Sequence, residues 1–168
     1  MPETEHGQRG PDAGRCRLKR VEPQAVLSVR TVTTPEAIGP TIQSLLEQVW
    51  AYLNQQEHVT VGPAFARYHE LGKAQVELEA GFPVAEPIPE RSPILRRTLP
   101  ACTAATILHE GPYDRLPEAY AALEAWIAGQ RLKPTEPPWE IYWIDGQQAR
   151  RPEELRTEIV WPVRRAQR

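Results

Sequence analysis

One acidic residue stands where an acid is costly. Glu140 lies in the run Trp139-Glu140-Ile141-Tyr142-Trp143-Ile144, whose aromatic and β-branched content reads as a strand. A carboxylate on a half-buried sheet loses hydration, so it is expected to be paired or functional. Strand alternation sends Glu140 and Tyr142 to one side and Trp139, Ile141 and Trp143 to the other. Two chemistries fit a carboxylate beside tyrosine rings. It can hold a lipophilic cation, with Glu140 as counter-charge and each ring face contributing roughly 0.5–2 kcal/mol. It can instead exchange protons, since apolar neighbours raise a carboxyl pKa towards neutrality and Tyr142 supplies a second proton-transfer group. The plain alternative is a solvent-facing Glu on an edge strand. Tyr113 follows Gly111-Pro112 in a turn before a helix, where it either lids a cleft or caps the helix.

Other chemistries lack their residues. His69-Glu70 and His109-Glu110 are adjacent pairs, which a strand points to opposite faces, so neither converges on one ion. There is no His-x-x-x-His, paired-Cys or EF-hand spacing, so no metal and no cofactor is expected. No Gly-x-Ser-x-Gly occurs, and Cys102 sits in an apolar segment where an inert thiol is expected. The formal net charge of -2 argues against direct nucleic-acid or anionic-membrane binding. Two cysteines, Cys16 and Cys102, make no disulfide framework and fit a reducing cytoplasm. No segment approaches the ~20 apolar residues of a membrane span, and residues 1–10 lack the apolar core of a signal peptide.

These side chains need elements to place them. The 168 residues, with 40% hydrophobic and 25% charged, suit one domain with one core. The 18 prolines favour strands with punctuated connections over a helical bundle. Residues 1–24 read as a flexible polar tail and 164–168 as a basic one, leaving a domain over 25–163. Strand-like patterns occupy 25–32, 64–69 and 75–84. Between the first two, Thr34-Pro35-Glu36 signals a helix start, with Thr34 as cap. Ile38, Ile42, Leu45, Leu46, Val49, Trp50 and Leu53 then recur at helical spacing. A proline-rich joint follows, and the order returns as strand 99–109, helix 117–128 and strands 139–145 and 157–163.

The halves, about 25–86 and 98–163, correspond residue by residue. Pro63-Ala64-Phe65-Ala66-Arg67-Tyr68 lies over Pro137-Pro138-Trp139-Glu140-Ile141-Tyr142. Glu79-Ala80-Gly81-Phe82-Pro83-Val84 lies over Glu158-Ile159-Val160-Trp161-Pro162-Val163. This is an internal duplication of a β-α-β-β unit. The expected fold is therefore α+β: two antiparallel sheets, each with a helix on one face and the other face uncovered, opposed about a pseudo-twofold with a cleft between them. Glu140 overlies Ala66, so the acid is not needed to build the repeat. Tyr68 and Tyr142 overlie each other and would meet across the twofold. Glu79 and Glu158 recur and are read as structural; Trp161 and Phe82, each directly before Pro, are read chiefly as packing or rim groups.

Three motifs carry a resemblance. His109-Glu110-Gly111-Pro112-Tyr113-Asp114-x-Leu116 before a helix, then Trp139-Glu140-Ile141-Tyr142, then Thr157-Glu158-Ile159-Val160-Trp161-Pro162-Val163, resemble the GyrI-like small-molecule-binding domains. These are the effector-binding domains of AraC- and MerR-type transcription regulators, within the SOUL-like fold. The resemblance implies a pair of β-α-β-β units with a ligand cleft on the internal axis. It also implies bulky, often cationic or planar aromatic ligands, with Glu140 matching the acid of cation-binding members. One branch of that family hydrolyses cyclopropane-bearing genotoxic compounds, and others neutralise a gyrase toxin or inhibitor by protein contact. The 24 residues ahead of the repeat are too few for a helix-turn-helix module.

Three functions remain open. The first is a stand-alone binder of bulky apolar, cationic or planar aromatic molecules. The second is a hydrolase using the same cleft, with Glu140 and Tyr142 as its catalytic groups. The third is a regulator that contacts a protein partner. The expected ligand-binding set is Glu140, Tyr142, Tyr68, Tyr113, Trp139, Trp161 and Phe65.

Overall fold

The computed structural model describes residues 15–167, so the first fourteen residues of the expected tail lie outside the described part. In chain order the elements are β1 (Arg17–Val21), β2 (Gln24–Thr33), α1 (Ile38–Leu53), β3 (Ala64–Leu71), β4 (Val76–Pro83), β5 (Leu95–Leu99), β6 (Cys102–Glu110), α2 (Leu116–Gly129), β7 (Leu132–Pro134), β8 (Trp139–Ile144) and β9 (Arg156–Arg165). Each helix is preceded by a single 3-10 turn, Pro35–Ala37 or Tyr113–Arg115. Thr34 precedes the first of these turns, but its side chain makes no capping bond. No helix among the described residues is long and apolar enough to cross a membrane.

All strand pairs are antiparallel and form one sheet in the order β1-β6-β9-β8-β3-β4-β2-β5, with β7 on β9. Read outward from its middle, one side runs β3-β4-β2 and the other β8-β9-β6, an arrangement consistent with a duplicated unit. The halves join by their edges, because β3 pairs with β8 from Ala64↔Tyr142 to Arg67↔Trp139. At the centre of that pairing Ala66 lies opposite Glu140, its own overlay partner.

The ends of the sheet differ from the expectation. Residues 17–21, assigned to the tail, form β1; the strand expected over 99–109 is β6, and an additional strand, β5, precedes it. Only Glu22 and Pro23 separate β1 from β2, and only Pro100 and Ala101 separate β5 from β6. The two long segments run antiparallel in one register, from Arg17↔Thr106 and Val21↔Cys102 through to Gln24↔Leu99 and Ser28↔Leu95. Prolines lack the N–H that a ladder needs, so the ladder is interrupted, with its register kept, where the segments cross. Each leading strand thus pairs with the opposite half, and the sheet curls. β1 escaped pattern reading because most of its side chains, Arg-Leu-Lys-Arg, are exposed and show no alternation. Its main-chain pairing to β6 and the Lys19–Glu158 ion pair at 2.7 Å hold it in place.

The curl decides what each face of the sheet meets. Helix α1 packs on β4 and β2, and α2 packs on β6 and β7, so the central β3–β8 pair lies between the helices. Leu45, Val49, Leu78 and Ala80 belong to the α1-side core; Leu123, Ile127, Ala105 and Ile159 belong to the α2-side core. The other face was expected to be uncovered. Instead the curled sheet encloses it, with Val26, Phe65 and Leu99 in one cluster and Ala104, Trp139 and Val160 in another.

Buried polar groups on that enclosed face are paired. Glu79, 2% exposed, accepts from Ser28 Oγ at 2.6 Å and is bonded to His69 Nε2 at 2.7 Å, with Arg67 at 4.0 Å. Burial pushes its carboxyl pKa up, but the His69 and Ser28 bonds and the neighbouring charges outweigh burial and hold it below the ordinary range. Its counterpart Glu158 takes Lys19 and, at 3.1 Å, Trp143 Nε1. Replacing Glu79 by Leu takes the acceptor from the Ser28 hydroxyl and the partner from His69, and is expected to cost about 3 kcal/mol. The depressed pKa fixes the sign: this stability is present above the ordinary carboxylate range and is lost as pH falls through the folded pKa. Urea unfolding of Glu79→Leu against wild type should show a gap that narrows as the pH is lowered through that range.

Candidate functional site

Three phenols converge on one carboxylate. Glu140 is 4% exposed and sits in β8 between the helices. Tyr142, two residues along the same strand, donates to Oε1 at 2.9 Å. Tyr68 reaches Oε2 from β3 at 3.4 Å, and Tyr120 reaches Oε2 from α2 at 2.5 Å. The overlay of Tyr68 on Tyr142 is matched in space, since both hydroxyls approach the one acid from opposite strands. Glu140 and Tyr142 share a face, as strand alternation predicts.

Tyr120 is the site residue that the sequence reading missed, because it falls at helical spacing with Leu116, Leu123 and Ile127 and looks like core. A usable signal existed. Counting four residues on from the first residue of each helix places Tyr120 over Ile42. Tyr120 therefore puts a hydroxyl where the first half has an aliphatic group, just as Glu140 replaces Ala66.

The other expected site residues divide between the two faces. Tyr113, 41% exposed, packs edge-on against Tyr142 with ring centroids 6.0 Å apart. It follows Gly111, whose φ of 122° only glycine adopts without strain. Trp161 lies edge-on to Tyr120 at 6.0 Å and so touches the cluster indirectly. Phe65 and Trp139 are not brought to Glu140. They alternate to the enclosed face, where Phe65 packs with Val26 and Leu99, and Trp139 packs with Ala104 and Val160 beneath Arg67. Neighbours along a strand point to opposite sides, so these two expected ligand-binding residues stand apart from the Glu140 cluster.

The electrostatics of the cluster are lopsided. Burial raises the Glu140 pKa above the ordinary carboxylate value, and the bonds from Tyr120, Tyr142 and Tyr68 only partly offset it. Burial and the nearby carboxylate push all three phenols upward, so they remain neutral donors. Among the described residues no Lys, Arg or His forms an ion pair with Glu140. A buried acid held by three neutral hydroxyls has its hydrogen bonds largely met and its charge uncompensated.

The family model for the GyrI-like small molecule binding domain matches residues 15–164. The crystal structure of the EcmrR C-terminal domain superposes with a TM-score of 0.80 at 25% identity, over 90% of this chain and 98% of that one. SAV2435 bound to tetraphenylphosphonium superposes with a TM-score of 0.63 at 14% identity, over 89% and 93% of the two chains. A hydrolase from Listeria innocua gives 0.63 at 15% identity, over 92% and 94%. At those lower identities the likeness is one of fold. No curated protein matches the chain.

Proposed function

Because the chain belongs to the GyrI-like small-molecule-binding family, we propose that it captures bulky apolar cations at Glu140, between its two helices. One observation carries this reading: a carboxylate 4% exposed, bonded to three phenols, with no protein cation paired to it among the described residues. A buried charge without a counter-charge is costly, and an apolar cation removes that cost. A neutral ligand does not. The rings of Tyr68, Tyr142 and Tyr120 present negative faces, which reward a cation delocalised over aromatic groups more than a compact, strongly hydrated one. Tetraphenylphosphonium, bound by SAV2435, has that character. Tyr113 is the half-exposed member of the group, packed edge-on against the buried Tyr142.

The pH dependence of binding tests the proposal, and its sign follows from the raised pKa of Glu140. Above the folded pKa the site is ionised and cation affinity is constant. Below it the free protein holds a proton that the cation must displace, so affinity falls about tenfold per pH unit. A neutral aromatic ligand shows no such slope. Calorimetric titration of tetraphenylphosphonium across the pH range in which the protein stays folded should give this profile. A flat profile would remove Glu140 as the counter-charge. The same raised pKa beside phenols favours a second reading, a hydrolase in which Glu140 and Tyr142 move protons. Loss of a strained-ring substrate over hours, absent in Glu140→Gln, would put that reading first.

A further inference from the structure

One buried hydroxyl has no partner. Thr157 in β9 is completely buried, and its Oγ1 is the one buried side-chain polar atom among the described residues without a hydrogen bond. Buried hydroxyls in folded proteins are nearly always bonded, and an orphan calls for an explanation. The register places this one at the site. Across the sheet the residues Ala66, Glu140, Ile159 and Ile107 form one row, and Ala64, Tyr142, Thr157 and His109 form the next. Paired residues share a face, so Thr157 lies on the Glu140 side, directly beside Tyr142. The Tyr142 hydroxyl is already committed to Glu140, and the ring of Tyr113 rests edge-on against it. His109, its neighbour on the other side, is bonded through Nε2 to the Pro112 carbonyl, and the Thr157 hydroxyl is left without a partner.

The duplication says that the hydroxyl is not a requirement of the fold. Continuing the overlay of Glu158 on Glu79 back by one residue sets Thr157 over Leu78, which is fully buried in the α1-side core. At Glu140, Tyr120 and Thr157 alike, the second half carries a polar group where the first half carries Ala66, Ile42 and Leu78. All three lie on the helix-bearing side of the sheet. Two of them bond to each other; the third waits.

We propose that Thr157 is a specificity residue that hydrogen-bonds a polar atom of the ligand, set one strand away from the cationic centre held at Glu140. This rests on the cation-binding reading and narrows it. The favoured ligand is an aromatic cation that bears a hydrogen-bonding group on one ring, such as an amide or phenol, in preference to a purely hydrocarbon cation. A group of that kind meets the orphan hydroxyl, which can donate or accept, and removes the cost of leaving it unbonded. A hydrocarbon ring at the same place leaves that cost standing.

The test uses the full chain and a matched set of probes: tetraphenylphosphonium, and its counterparts carrying a carboxamide at the meta or para position of one ring. Wild type should bind one of the carboxamides more tightly than the parent cation. Thr157→Val keeps the β-branched shape and removes the hydroxyl, so it should weaken that carboxamide about 2- to 10-fold, the span of one neutral hydrogen bond. The parent cation should be unaffected or bound slightly better, and Thr157→Ser should restore the preference. Without ligand, Thr157→Val should melt at the same temperature as wild type or higher, since no bond is lost. A melting temperature several degrees lower would show that the hydroxyl serves the fold and would overturn the proposal. So would equal loss for both kinds of probe, or a wild type indifferent to the carboxamides. If wild type binds none of these cations, the reading of Glu140 itself fails. If it binds the parent and loses it in Glu140→Gln without any effect of Thr157→Val, only the assignment of Thr157 fails.

Discussion

Glu140→Gln should cost the protein at least about 30-fold in affinity for tetraphenylphosphonium while leaving neutral aromatic ligands within a few-fold of wild type. Truncating one member of a buried charge pair costs about 2–5 kcal/mol. The amide keeps the shape and can still bond phenols, so the lower end applies. Ring faces offer only about 0.5–2 kcal/mol each and stay in place, so they cannot conceal the loss of the charge. The variant should also be no less stable than wild type at neutral pH. A carboxyl whose pKa is raised by folding contributes stability that is fully present below the ordinary carboxylate range and is lost as pH rises through the folded pKa. The amide never ionises and so avoids that loss, a trade of stability for function common at binding sites. Calorimetry with the two ligand classes and thermal melts across pH check both parts. Equal weakening of charged and neutral ligands would reduce Glu140 to a shaping role.

Gly81→Ala should be the most damaging glycine-to-alanine change among the described residues, at about 3 kcal/mol or more, the upper end of the cost of overpacking. A Cβ at this position would lie 2.0 Å from the Leu27 carbonyl oxygen and 2.7 Å from the Ser28 Cα. Both atoms are main chain of β2, the strand paired with β4 from Val26↔Pro83 to Thr33↔Val76. A side chain could swing away from the intruding methyl, but a strand in a ladder cannot. Relief requires β2 and β4 to separate beside the Ser28–Glu79 bond, exposing a buried carboxylate at the same time. The overlay partner of Gly81 is Val160, which packs on Trp139, so only the first half demands this close approach. Urea unfolding of the variant measures the effect; a wild-type midpoint would mean that the strands re-space at no cost.

The α+β fold, in an arrangement consistent with a duplicated unit, and the pairing of Glu140 with Tyr142 and Tyr68 were both legible in the chain. Alternation in Trp139-Glu140-Ile141-Tyr142 separates the acid and its tyrosine from Trp139. The overlay on Ala66 marks the acid as dispensable for folding, and the second tyrosine follows from Tyr68. These are local properties: a period of two along a strand, a period near 3.6 along a helix, and a repeat of both. Tyr120 was present in the same overlay as a departure from Ile42, but helical spacing concealed it among core residues.

Tertiary structure alone decided which side of the sheet the site would occupy. Alternation states that two residues oppose each other; it does not state which of the two faces a helix. That assignment came from the curl, and the curl came from β1 and β5 pairing with the opposite half through main-chain bonds that leave little trace in side-chain type. The enclosed face therefore took Phe65 and Trp139, and the face between the helices took Glu140. The solitary state of the Thr157 hydroxyl was likewise invisible until every neighbouring group had been placed, because a threonine in a strand sequence reads the same whether or not its oxygen finds a partner.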